Sequence, residues 1–220
     1  IEEGHGAGPA CRPQQRIDAS ELPAPEAKLA LLQCAIDKLG QAGYVYIGMD
    51  HFALPDDSLA VAQRNGSLHR NFMGYTTHAE SDLIGLGVSA ISHIGPSFSQ
   101  NPRDLGSWEQ AIDRGHLPVW RGLRLEEDDV IRADVIQRLM CHGTLDFRDI
   151  EQRHVIDFST YFATALERLQ ALQEDGLVEL SGDGLTATSR GRLLLRIIAM
   201  CFDRHLPTAA AATPCFSRTV

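Results

Sequence analysis

The sequence predicts an α/β segment over residues 25–124 and a mostly helical domain over residues 125–206. In the first segment an amphipathic stripe precedes a short run of β-branched and aromatic residues, the order of a helix followed by a strand. After residue 125, apolar residues recur at helical spacing in several stretches. The turn sequence GDG then separates two short apolar runs, which is typical of a β-hairpin.

The first element is predicted as a helix over residues 25–41, with Gly43 just past its end, where glycine commonly terminates helices. Its apolar residues recur three and four positions apart; they are Leu29, Leu32, Ile36 and Leu39. The run YVYIG (44–48) predicts a buried strand. A helix followed so closely by a strand is half of an α/β repeat.

The rest of the α/β segment is less regular. SLAVAQRNG (58–66) predicts a short helix capped by Asp57 or Ser58, and GSWEQAIDRG (106–115) predicts another. LIGLGVSAIS (83–92) predicts a buried strand whose glycines allow close approach of another group. These are too few repeats to close a sheet by themselves.

In the helical domain, three helices are predicted over 126–143, 147–154 and 158–176, the hairpin over 177–191 and a final helix over 190–206. This order is similar to a winged-helix domain, a layout that often binds DNA. The third helix carries three carboxylates and one arginine, whereas a helix that reads DNA is normally basic. We therefore expect a structural or lid domain, and a winged-helix binding module is the alternative.

Composition excludes some classes of function. The net charge of −9 disfavours a nucleic-acid partner, because phosphate binding requires clustered Lys and Arg. No apolar run reaches the roughly 20 residues of a transmembrane helix, so no membrane partner is predicted. The five cysteines are scattered without C-x-x-C spacing, which disfavours a zinc site or disulfide framework and favours a reducing compartment, here the cytoplasm.

The two ends of the chain lack the patterns of regular elements. Residues 1–24 begin glycine-rich, without the basic and apolar regions of a signal peptide, and are typical of a cut through a longer protein. Residues 207–220 are predicted to form a C-terminal tail.

Two polar stretches are candidates for a functional site. Asp50 and His51 follow the predicted strand 44–48, at the strand end where α/β folds bind ligands. A carboxylate beside an imidazole can orient it or bind polar groups, although Asp50 could instead cap the turn while His51 packs beneath the loop. GYTTHAESD (74–82) adds the polar aromatic side chains of Tyr75 and His78. The histidines lack H-x-x-x-H spacing, so no metal site is predicted.

Several motifs together resemble one enzyme family. GMDHFA, LAVAQ, LHRNF and GYTTH lie within residues 43–92, followed by WRG (120–122), DGLVEL (175–180), GRLLLRIIAMCFD (191–203) and FSR (216–218). The combination is similar to the C-terminal portion of the oxygen-independent coproporphyrinogen III oxidases, also called coproporphyrinogen dehydrogenases. The resemblance covers residues 14–220. These are radical S-adenosylmethionine enzymes of heme biosynthesis.

The resemblance implies a fold and a reaction. Residues 1–24 would be a truncated barrel strand or linker, residues 25–124 the end of a partial (β/α) barrel, and residues 125–206 its helical cover. In the family, a [4Fe–4S] cluster reduces S-adenosylmethionine to a radical. The radical initiates oxidative decarboxylation of two propionates of coproporphyrinogen III to vinyl groups, which gives protoporphyrinogen IX. A flavodoxin-type reductant and a monomeric enzyme are also implied.

The resemblance also assigns residues. Ile91 would contact S-adenosylmethionine, and Gly4 falls near another such contact. Met73 stands where the family has a glutamine, and a thioether cannot make the hydrogen bonds of an amide. Asp50, His51, Tyr75 and His78 would line the substrate cavity. The family's C-x-x-x-C-x-x-C cluster motif is absent, so this chain alone is expected to be inactive.

Two alternatives stay open. A radical-SAM-like heme chaperone binds heme without this decarboxylation, although GMDHFA and GYTTH favour the dehydrogenase. A winged-helix regulator is disfavoured by the acidic helices.

Overall fold

The computed structural model describes residues 22–79 and 81–206. Gly4 and the predicted tail 207–220 lie outside the described residues. Contacts divide the described residues into two units, one made of residues 22–33 and 82–124, and the other of residues 34–79, 81 and 125–206. The sequence-based domain boundaries stay a prediction.

The elements up to residue 124 alternate short strands with helices. In chain order they are α1 (Pro25–Gln41), β1 (Val45–Gly48), β2 (His51–Ala53), α2 (Ser58–Arg64), β3 (His69–Asn71), β4 (Gly74–Thr76), β5 (Ile91–Ile94), β6 (Ser97–Gln100), α3 (Leu105–Asp113) and β7 (Arg121–Arg124).

The elements from residue 125 onward are mainly helical. They are α4 (Glu127–His142), β8 (Thr144–Asp146), α5 (Phe147–His154), α6 (Phe158–Tyr161), α7 (Ala163–Glu174), β9 (Val178–Leu180), β10 (Gly184–Ala187), α8 (Ser189–Leu193) and α9 (Leu195–Met200).

In the first unit, β5, β6 and β7 form an antiparallel sheet in that order. The strand predicted over 83–92 does not form as a whole: Leu83 pairs with His93 as an isolated bridge, and β5 begins only at Ile91. Gly87 and Ser89 adopt positive φ angles of 95° and 58°, which an extended strand cannot contain. The prediction of a buried strand here is therefore wrong, and Leu86 is 88% exposed.

In the second unit, two antiparallel hairpins, β1–β2 and β3–β4, pack with α2 around a small apolar core. Asp57 caps α2, as predicted, by accepting a hydrogen bond from the backbone N–H of Leu59. Strand β1 pairs with the next strand in an antiparallel hairpin. Helix α4 lies against β1 and β3, and its Cys141 belongs to the same core.

The larger core of the second unit lies among α4–α9 and the sheet β8–β10–β9. A capping box formed by Glu126 and Asp129 begins α4, and Gly143 ends it in the left-handed conformation. The predicted hairpin forms as β9 and β10.

Two predicted helices are interrupted. The one over 158–176 breaks at Phe162, and the final one breaks at Leu194. The Phe162 ring is buried against Phe158 and Phe202, and its backbone lies outside the α-helical region at φ −105° and ψ 22°. The ring is buried at the point where the helix breaks. The helical spacing of apolar residues in the sequence does not reveal this break.

Candidate functional site

The candidate site lies in the second unit, at the turn that joins β1 to β2. Met49 and Asp50 form the turn and His51 begins β2. Met49 has a φ of 54°, an uncommon conformation for a residue with a side chain. The hydroxyl of Tyr46 donates a hydrogen bond to the Met49 carbonyl at 3.1 Å, which braces the turn.

Asp50 and His51 contact one another. The Asp50 Oδ1 atom lies 2.8 Å from His51 Nδ1, with side-chain exposures of 86% and 38%. Nδ1 itself is buried and makes no aligned hydrogen bond, so the contact is electrostatic in character.

Tyr75 supports His51 from within the fold. The two rings meet edge to face, with centroids 5.2 Å apart. The Tyr75 hydroxyl donates a hydrogen bond to the Met140 carbonyl of α4 at 3.0 Å. Burial raises the pKa of Tyr75 to about 12, so this phenol stays neutral at physiological pH.

Two glycines make room for these side chains. A Cβ on Gly48 would lie 2.3 Å from the Tyr75 hydroxyl, and a Cβ on Gly74 would lie 3.1 Å from His51 Nε2. Both glycines also have positive φ angles. The glycines of the GMDHFA and GYTTH motifs thus allow the Tyr75 and His51 rings to approach the backbone.

The other predicted site residues make local contacts of their own. Met73 is 82% exposed in the β3–β4 turn, where its N–H donates to the Asn71 side chain. His78 is also exposed, and its N–H donates to Thr76 Oγ1 at 3.1 Å. Ile91 belongs to the first unit, where it begins β5 opposite Gln100.

Sequence reasoning missed two arginines whose charges act on Tyr75. The Arg70 guanidinium lies 5.8 Å from the centre of the Tyr75 ring. Arg192 of α8 donates to the His142 carbonyl at 3.3 Å. Arg70 lies within the quoted LHRNF motif and Arg192 within GRLLLRIIAMCFD, but neither motif indicates that these half-buried side chains act on one tyrosine.

The described residues do not fit an iron–sulfur cluster. Cys34 is exposed, Cys141 is buried and Cys201 is half-buried, and no three metal-ligating side chains converge in residues 22–79 and 81–206. Burial raises the pKa of the Cys141 thiol to about 12, whereas cluster ligands are thiolates. We assign no cluster to these cysteines.

The described helices were compared with the length and apolarity of membrane-spanning helices. Across residues 22–79 and 81–206, none combines the length and apolarity that a membrane span would need.

Comparison with known proteins identifies the relatives of this chain. Residues 125–194 match the HemN C-terminal domain family. The solved structure of coproporphyrinogen III oxidase (HemN) from Escherichia coli, described as a radical SAM enzyme, superposes with a TM-score of 0.83 and 51% identity. The match covers 88% of this chain and 44% of that one. The chain is thus related to a class of radical SAM enzymes.

The curated relatives define the family more closely. Oxygen-independent coproporphyrinogen III oxidase of Pseudomonas aeruginosa is 53% identical over 196 residues, covering 89% of this chain and 43% of the relative. The Escherichia coli K12 protein of that name is 49% identical over 207 residues, covering 94% and 45%. The predicted resemblance is confirmed: the chain is similar to the C-terminal portion of the oxygen-independent coproporphyrinogen III oxidases. It spans less than half the length of these relatives.

Proposed function

We propose that this chain forms the substrate-side portion of an oxygen-independent coproporphyrinogen III oxidase. The whole enzyme would oxidatively decarboxylate two propionates of coproporphyrinogen III to vinyl groups, giving protoporphyrinogen IX in heme biosynthesis. The observation that carries this proposal is about 50% identity, over nearly the whole chain, to relatives named for that activity.

The radical chemistry belongs to parts of the enzyme that this chain does not supply. S-adenosylmethionine and a [4Fe–4S] cluster would provide the hydrogen-abstracting radical when bound. We keep Ile91 and Gly4 as proposed contacts of S-adenosylmethionine. Met73 would make no amide-type contact there, because its thioether is only a weak acceptor.

Within this chain, Asp50 and His51 would bind and orient substrate polar groups. The Asp50 carboxylate lies 2.8 Å from Nδ1, and the missing side chain at Gly74 leaves space beside Nε2. A ring oriented in this way can exchange a hydrogen bond or a proton at Nε2. Tyr75 would fix the ring's orientation, and His78 would contribute from the exposed end of the hairpin.

The two segments of the chain would have different structural roles. Residues 25–124 would complete the (β/α) barrel, and residues 125–206 would form a winged-helix-like cover for the active site. The sheet order β8–β10–β9 and the preceding helices support that layout. Helix α7 carries Glu167 and Glu174 with Arg168, which supports a cover without nucleic-acid binding. A flavodoxin-type reductant, a monomeric enzyme and the cytoplasm complete the proposal.

Anaerobic turnover by a chimera tests this function. The corresponding portion of the Escherichia coli enzyme is replaced by this chain, and coproporphyrinogen III consumption is followed with reductant and S-adenosylmethionine. We expect protoporphyrinogen IX, with the unaltered Escherichia coli enzyme as control. A folded, cluster-loaded chimera that binds heme tightly and forms no protoporphyrinogen would contradict the proposal and favour the heme chaperone.

A further inference from the structure

Among the residues that the structure describes, two half-buried arginines near the candidate site lack a carboxylate partner. Four arginines are half-buried in the part of the chain that the structure describes. Arg132 pairs with Asp128, and Arg138 pairs with Asp134 and Asp149. The remaining two, Arg70 and Arg192, form no ion pair among the described residues. Partial burial of a charge is costly unless the charge is paired, which makes these two guanidinium groups unusual.

Arg70 leaves donor capacity unused. Its Nε–H is buried and has no hydrogen-bond partner among the described residues. Its guanidinium faces the Tyr75 ring and lies close enough to Cys141 to oppose the effect of burial on the pKa of that thiol. A cation–π contact offsets only part of the cost of removing a guanidinium from water.

Arg192 approaches the same region from α8. Its Nη1 atom donates to the His142 carbonyl at 3.3 Å and lies against Gly143. Burial raises the pKa of Tyr46, and the Arg192 charge is the largest opposing influence. The same charge, with that of Arg70, opposes the raised pKa of Tyr75. Both arginines therefore act electrostatically on the tyrosine that packs against His51.

We infer that Arg70 and Arg192 bind carboxylate groups of the substrate beside the Asp50–His51 turn. The planar guanidinium has five donors in a fork that matches a carboxylate, and Arg192 uses one of them on a neutral carbonyl. This inference rests on the proposed function, whose substrate carries several propionates. The arginines would bind and position the substrate. Its propionates would be the carboxylate partners that the two guanidinium groups lack among the described residues.

Fluorescence titration of the full 220-residue chain with coproporphyrin III tests the inference. The control ligand is its methyl ester, in which every carboxylate is blocked. The variants are Arg192→Gln and Arg70→Gln, and the matched control is Arg190→Gln, an exposed arginine on the same helix α8. Circular dichroism and urea unfolding verify that each variant is folded.

We expect each single variant to weaken coproporphyrin III binding about tenfold, the loss of one charge-assisted contact, while ester binding stays unchanged. Arg192→Lys should recover part of the loss because lysine keeps the positive charge. Added salt should weaken the binding of coproporphyrin III but not the binding of its methyl ester. If Arg70→Gln does not fold, Arg192→Gln decides the question.

Two results would overturn the inference. If wild type and a folded Arg192→Gln chain bind coproporphyrin III equally well, Arg192 is not part of the binding site. That result would not contradict the proposed function. Failure of the wild-type chain to bind either porphyrin would contradict the substrate-side role itself, and the inference with it.

Discussion

Gly191 lies where α8 packs against the backbone of Leu177, and a side chain has no room there. A Cβ at this position would lie 1.8 Å from the Leu177 carbonyl oxygen, an atom held by backbone geometry. We expect Gly191→Ala to lower the free energy of unfolding by about 3 kcal/mol or more. Gly182→Ala, with nothing within 4 Å, should stay within about 0.5 kcal/mol. Urea unfolding measures both, and equal stabilities would refute the packing account.

Gly48 and Tyr75 are coupled by a similar contact at the candidate site. Tyr75→Phe should cost about 1–2 kcal/mol, because the Met140 carbonyl loses its hydrogen bond. Gly48→Ala should also destabilise the chain, since the new Cβ would meet the Tyr75 hydroxyl. Removing that hydroxyl should relieve part of the clash. A double-mutant cycle by urea unfolding is therefore expected to give non-additive losses, and strict additivity would argue against the contact.

The N-terminal end of α4 is tied to the segment after α9 by a charged cluster. Asp128 accepts hydrogen bonds from Arg132, Tyr161 and Arg204. Burial alone would raise the pKa of Asp128, but the hydrogen bonds from Arg132 and Tyr161 outweigh it and lower the pKa below 3.8. The cluster thus favours the charged carboxylate in the folded chain.

This lowered pKa predicts an acid dependence of stability. Because the folded pKa lies below the unfolded one, the contribution is complete above about pH 4 and is lost as pH falls through the folded value. Asp128→Asn should therefore destabilise the chain at pH 7 and flatten the fall in stability below pH 4. Urea unfolding across pH 2–7 measures this, with the exposed Asp56→Asn as control. An unchanged pH profile in Asp128→Asn would show that the cluster does not act in this way.

Elements with chemical boundary signals were predictable from sequence. The cap at Asp57, the glycine after α1 and the amphipathic stripe of α1 act through neighbouring residues, so their spacing can be read from the sequence. The run 83–92 failed because its apolar residues suggested a strand, while positive φ at Gly87 and Ser89 turns the backbone. Apolar content alone does not distinguish a strand from such a turn.

The candidate site was predictable only in part. Asp50 and His51 are adjacent in sequence, and their contact follows from that. The partner of Tyr75 is a backbone carbonyl of α4, 65 residues away. The electrostatic convergence of Arg70 and Arg192 on that tyrosine likewise depends on tertiary packing. Local pattern carries no information about such contacts.

For the molecule as a whole, we propose that this chain supplies substrate contacts and that the cluster chemistry comes from elsewhere in the enzyme. Anaerobic reconstitution with iron and sulfide tests it most directly, comparing this chain with the chimera. We predict that only the chimera develops the absorbance of a [4Fe–4S] cluster, because the cysteines of this chain are too widely spaced in sequence to form the family's cluster motif. A stable [4Fe–4S] absorbance in this chain alone would contradict the account.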